Sequence, residues 1–211
     1  YLTISASWAQ GTDAKGRISE RTNSVLGNYL AGRHAERVKN YSLAARLFSK
    51  IDTKEPKTLK IQQRLLFSLM AAGEINQAIV IAEEMARSGK ISSITSLTLF
   101  ADAIVSKNLK KAIKVLNRTT VSAITDFTIP LLRAWTMVAM GDYKKAISAL
   151  EPLTRIQGFE PMRLHHIALI EDFKGNKIVA DQAYIRALDK SKSIRTLQAY
   201  GRFLERSGRR A

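Results

Sequence analysis

Five short segments of this chain align without gaps: Lys39-Asn-Tyr-Ser-Leu-Ala44, Gly73-Glu-Ile-Asn-Gln-Ala78, Lys107-Asn-Leu-Lys-Lys-Ala112, Gly141-Asp-Tyr-Lys-Lys-Ala146 and Gly175-Asn-Lys-Ile-Val-Ala180. Their alanines stand 34 residues apart. A repeat of that length constrains the fold more than any other feature, because such a unit cannot bury its own apolar face and must stack on its neighbours. Each segment carries the chemistry of a bend between helices. Gly or Lys ends the first helix, Asn, Asp or Glu follows in the bend, and in four of the five an apolar Tyr, Ile or Leu comes next. The alanine then falls on the second helix, where a small side chain admits the paired helix. Apolar residues of helical period run upstream of the second bend, at Ile61, Leu65, Leu66, Leu69 and Met70, and downstream of it, at Ile79, Ile81, Ala82 and Met85. The pattern predicts about eleven helices in antiparallel pairs.

With Val25 as the first position of a unit, Gly32 falls at position 8, Ala44 at 20, Phe48 at 24 and Pro56 at 32. On these residues the chain resembles the tetratricopeptide repeat family of bacterial scaffold type, and the resemblance covers nearly its whole length. Units of 25–58, 59–92, 93–126, 127–160 and 161–193 follow, with a partial sixth at 194–211 and an N-terminal segment at 1–24. Position 8 departs from glycine in the later units, where it is Leu66, Phe100, Ala134 and Ala168. The resemblance implies an all-α, right-handed α-solenoid of five helix hairpins plus the first helix of a sixth, which reads as a piece of a longer array. The pentatricopeptide family has units of similar length that read RNA bases, but its polar base-reading positions are not evident here.

In the tetratricopeptide family the first helix of each pair lines a concave groove. The corresponding positions here hold Gln63, Phe67 and Met70, then Leu97, Ala101 and Ile104, then Leu131, Trp135 and Val138, then His165 and Leu169. The implied groove floor is apolar, and an exposed apolar strip normally marks an interaction site. The competing expectation is that curvature or further units cover these residues. Trp135 suits either role, as a partner anchor or as packing between units. At the ends, Arg33 and Arg37 in the first unit and Arg195, Arg202 and Arg206 in the last form a basic rim. The implied partner is another protein, a peptide or helix with acidic flanks.

Lys and Arg number 34 against 18 Asp and Glu, a formal charge of +16. That charge favours acidic partners and keeps a second function class open, a basic helical-repeat binder of nucleic acid or of an anionic membrane surface. Lys110, Lys111, Lys114, Lys144 and Lys145 are expected to form a basic stripe on the outer helices. The 15 aromatic residues do not alternate with the basic ones as a single-strand stacking platform would require. The first ten residues read either as the tail of a secretory signal, with Ser7 and Ala9 before a cut, or as a capping segment. Scaffold relatives at the outer face of bacterial inner membranes imply a periplasmic or membrane-associated location, with the cytoplasm as the alternative.

No cysteine is present, which excludes disulfides, thiol catalysis and Cys-ligated zinc. The histidines are His34 and the neighbours His165 and His166. Adjacent helical residues point about 100° apart, so the last two cannot ligate one metal in the i, i+4 manner. The pairs Glu83-Glu84 and Glu171-Asp172 are likewise adjacent and read as solvated helix faces. The expectation is a protein without cofactor, metal, small-molecule substrate or catalysis.

Overall fold

The computed structural model of the chain describes residues 24–51, 59–119 and 125–209. Pro56 and the segment 1–23 lie outside the described residues.

The five bends share one backbone geometry. Lys39, Gly73, Lys107, Gly141 and Gly175 adopt φ of 60°, 80°, 55°, 79° and 87°. The next amide then points back along the helix just ended. Asn40 N donates to Ala35 O at 2.8 Å, Glu74 N to Leu69 O at 2.9 Å, Asn108 N to Ala103 O at 2.8 Å, Asp142 N to Met137 O at 2.9 Å and Asn176 N to Glu171 O at 2.9 Å. This Schellman closure satisfies carbonyls that the helix end would leave open. In three bends the same polar residue caps the following helix: Asn40, Asn108 and Asp142 accept from the amides of Leu43, Lys111 and Lys145 at 3.2, 3.0 and 3.1 Å. In four of the five bends a left-handed residue is followed by Asn or Asp; the second has Glu74 there.

Two of the five bends place a lysine where glycine is at ease. An L-residue in the left-handed region costs roughly 1–2 kcal/mol, partly offset by the greater freedom that glycine loses on folding. Lys39→Gly and Lys107→Gly are each expected to stabilise the protein by about 0.5–1 kcal/mol, read as a rise in the urea midpoint. A fall in the midpoint at both positions would show that these lysines hold the bend by a side-chain contact.

The chain divides into two compact units, residues 1–90 and 91–211. The first holds α1 (Val25–Arg37), α2 (Tyr41–Phe48), α3 (Leu59–Ala72) and α4 (Ile75–Arg87), each packed on the next. The second holds α5 (Ser93–Val105), α6 (Leu109–Arg118), α7 (Thr125–Ala139), α8 (Tyr143–Ser148), α9 (Glu160–Lys174), α10 (Lys177–Lys190) and α11 (Ile194–Arg206), again packed in sequence. Among the described residues there is no strand. One second helix departs from the pattern. After Ser148 the chain tightens into a 3-10 helix over Glu151–Arg155, because Pro152 has no amide to donate to an α-helical carbonyl. Leu150 and Leu153 remain fully buried across the change.

The repeat is visible in the core. Ala44, Ala78, Ala112, Ala146 and Ala180 are all at 0% exposure. Positions 8 and 24 of each unit also bury themselves, and their sizes compensate. Gly32 lies against Phe48, and a Cβ on the glycine would stand 2.6 Å from the ring. The corresponding pairs are Leu66 with Ala82, Phe100 with Leu116, Ala134 with Leu150 and Ala168 with Tyr184, each residue at 9% exposure or less. In four of the five pairs a small residue at one position faces a large one at the other; Phe100 with Leu116, large at both, is the exception.

Candidate functional site

In the first unit, the described face of α1 and α3 is a mixed apolar and charged surface. Phe67 on α3 is 47% exposed and meets the ring of Tyr41 edge-on, with centroids 5.8 Å apart. Glu36, Tyr41, Lys60, Gln63, Arg64 and Phe67 line a shared cavity of about 500 Å³. Glu36 is its electrostatic hub. It pairs with Arg64 on α3 at 2.5 Å and with Arg33 at 3.6 Å, and it accepts from Ser68 Oγ at 3.5 Å. Arg33 also donates to Tyr29 Oη at 3.1 Å and lies over that ring. This hydrogen bond, with the guanidinium charge, holds the Tyr29 phenol below its usual range. Arg37 stands 3.3 Å from His34 Nδ1. The expected rim arginines of this unit are exposed, but Arg33 is partly neutralised by Glu36. Gln63 and Met70 are half-buried. Sequence reasoning passed over Lys60, although it stands at position 2 of its unit, and also over Tyr41 and Arg64.

In the second unit the expected groove residues separate into open and closed sets. Ala101 and Ile104 on α5 are exposed, and Leu97 is half-buried. Val138 is 7% exposed and lies in a core cluster with Ala134, Ala146, Leu150, Leu153 and Ile170. His165 is also buried, at 7% exposure. Neither residue offers area to a partner as it stands. Leu131 and Trp135 are half-buried against the same cluster, and Leu169 packs on the one around Ala168 and Tyr184.

The Trp135 indole N–H is not free. It donates to His166 Nδ1 at 3.1 Å, linking α7 to α9, with the rings 6.0 Å apart and nearly perpendicular. Accepting that bond requires a neutral imidazole. Burial, then His165 and Arg195, lower the His166 pKa to about 4, so the ring is neutral at neutral pH. Burial and Arg195 also lower the His165 pKa.

On α11, Arg195 and Arg202 are exposed, whereas Arg206 pairs with Asp172 of α9 at 2.5 Å. Arg206 is exposed as well, and its pairing with Asp172 links two first helices. The outer stripe is likewise thinner than its lysine count. Lys111 pairs with Asp102 at 2.9 Å and Lys145 with Asp142 at 2.7 Å, while Lys110, Lys114 and Lys144 are exposed. Among the described residues no cluster of His, Asp or Glu is arranged to hold a metal ion, and no helix is long and apolar enough to cross a membrane.

No family model and no curated protein matches the sequence. Solved structures do match the fold. The chain is similar to YrrB, a TPR protein with an unusual peptide-binding site, at 14% identity over 90% of this chain and 98% of that one, with a TM-score of 0.67. It is similar to MamA at 20% identity over 82% of this chain and 93% of that one, also with a TM-score of 0.67. A second MamA structure matches at 20% identity over 76% and 94%, with a TM-score of 0.64. Identities this low speak for fold alone. Paired helices, a recurrent Schellman bend, buried alanines at the repeat spacing and these superpositions agree, and the chain has the all-α tetratricopeptide-repeat fold.

Proposed function

We propose that the protein is a non-catalytic scaffold that holds a segment of another protein against the first helices of its hairpins. The observation that carries this reading is Phe67, a large aromatic side chain 47% exposed at a groove position, set in a cavity whose other walls are Tyr41, Glu36, Lys60, Gln63 and Arg64. An apolar anchor point ringed by polar and charged groups is the anatomy of a binding hot spot. Lys60, Arg33 and Arg64 against the single carboxylate of Glu36 favour a segment with an apolar residue flanked by acids. The fold likeness to a protein with a peptide-binding site supports this class of partner. A bacterial periplasmic or membrane-surface location belongs to the same proposal and rests on the scaffold resemblance.

The charge of +16 and the exposed Lys110, Lys114 and Lys144 support the second reading, an anionic surface or nucleic acid as partner. One titration separates the two. A peptide selected from a displayed library on the purified protein is titrated at low and high salt against Phe67→Ala and against Lys110→Glu with Lys144→Glu. The expected result is a loss of about 2 kcal/mol or more with Phe67→Ala at unchanged helicity. The charge reversal changes mainly association rate and salt dependence. If the reversal removes binding and Phe67→Ala does not, the anionic-partner reading replaces the scaffold groove.

A further inference from the structure

Successive helices of the second unit are packed in sequence and joined by short connections, so they alternate in direction. Its three first-to-second bends, at Lys107, Gly141 and Gly175, therefore come out on one edge. A ring contact joins two of them directly. Tyr143, just after the bend at Gly141, and Phe173, just before the bend at Gly175, have centroids 6.4 Å apart.

That edge carries projecting apolar side chains. Val105 is 82% exposed, Met140 44%, Phe173 68% and Ile178 74%, and each stands within three residues of the left-handed residue of its bend. One exposed apolar residue is ordinary, but its recurrence at every bend of the unit makes a row. Lysines recur beside them. Lys145 is held by Asp142 and Lys174 stands 3.8 Å from Glu171, whereas Lys107, Lys110, Lys144 and Lys177 make no ion pair among the described residues. The edge is therefore both apolar and cationic, on a chain whose formal charge is +16.

The mixture selects the partner. A nucleic acid would meet the lysines with its phosphates but set the apolar projections against a polar backbone, and a lone phenylalanine is no stacking platform. A folded protein would need a matched socket for each projection. A bilayer of anionic lipid accepts both without matched shape. Apolar tips enter the boundary between headgroups and acyl chains, while lysines lay their stems along apolar surface and keep their charges among the headgroups. We propose that the bend edge of the second unit docks the protein on an anionic lipid surface, with Phe173 and Ile178 inserted and Lys144 and Lys177 at the headgroups. The membrane edge rests on the anionic-partner reading given above, with which it shares Lys110 and Lys144, and is independent of the groove at Phe67.

The test is co-sedimentation of the full chain with phosphatidylcholine vesicles, with and without phosphatidylglycerol, alongside a titration with duplex DNA. Binding is expected only to the vesicles that contain phosphatidylglycerol. Lys144→Gln with Lys177→Gln should weaken it about fivefold for each lysine removed, and Val105→Ser with Ile178→Ser about tenfold at unchanged helicity. Lys190→Gln with Lys192→Gln removes the same charge at the far end of α10 and should leave binding nearly unchanged. Because the chain has no cysteine, Ile178→Cys takes a polarity-sensitive fluorophore at one place. Its emission should shift to the blue on the anionic vesicles, and that of a fluorophore on Lys192→Cys should not. Vesicle binding weakened equally by both lysine pairs and untouched by the serine pair would be owed to net charge alone and overturns the proposal. Binding to DNA without binding to vesicles overturns the membrane edge and leaves the anionic-partner reading standing. Binding to neither overturns both.

Discussion

Phe48→Ala is expected to cost the first unit about 3–5 kcal/mol, the range for removing a fully buried aromatic ring. The ring is at 0% exposure, and it fills the space that Gly32 leaves, with its edge where a Cβ would otherwise stand. Truncation therefore leaves a cavity beside Gly32, next to the Tyr29 ring. The complementary change is Gly32→Leu, which gains helix propensity but drives into the ring. If position 8 and position 24 share one volume, the double variant Gly32→Leu with Phe48→Ala recreates the Leu66 and Ala82 pair found one unit later, where both residues are fully buried. The double variant should then be more stable than Phe48→Ala alone, with a favourable coupling of about 1–3 kcal/mol in a denaturant cycle. Additive losses would mean that each unit is packed individually and that volume is not exchanged between the two positions.

The second large effect depends on pH. His166 has its pKa lowered from 6.5 to about 4, first by burial and then by the charges of His165 and Arg195. Between pH 6.5 and about 4 the unfolded chain takes up a proton that the folded chain refuses. The stability held by the neutral ring is complete above pH 6.5 and is lost as pH falls toward 4. The loss approaches about 2–3 kcal/mol after a discount for the ring's residual solvent contact. His165, also lowered, contributes with the same sign. The lowered carboxylates of Asp142, Glu160 and Asp181 act in a different window, because their unfolded values are 3.8 for Asp and 4.5 for Glu and their share is lost only as pH falls below these. A series of urea melts from pH 7.5 to pH 4.5 should show a falling midpoint accompanied by a change in Trp135 fluorescence. His166→Gln keeps an acceptor for the indole without a titrating proton, and it should flatten the slope to the part owed to His165. An unchanged slope would place the titrating group elsewhere.

Helix count, bend positions and the buried alanines were legible in the sequence because each is set by residues a few positions apart. A left-handed residue, a polar residue at the next position and an alanine four positions later act within a single bend, and repetition of that local pattern at 34-residue spacing fixed the tetratricopeptide fold. The candidate surface was only partly legible, for a different reason. Whether Phe67 is open and Val138 closed depends on which neighbours pack over a helix face, and periodicity assigns a face without its cover. The ion pairs and hydrogen bonds that join first helices span 28 residues from Glu36 to Arg64, 31 from Trp135 to His166 and 34 from Asp172 to Arg206. No local pattern encodes such partners, since they meet only after the hairpins have stacked. Tertiary structure therefore decided which arginines are paired, which histidine stays neutral and which of the expected groove positions are exposed. The amino-acid sequence alone determined that there would be hairpins to stack.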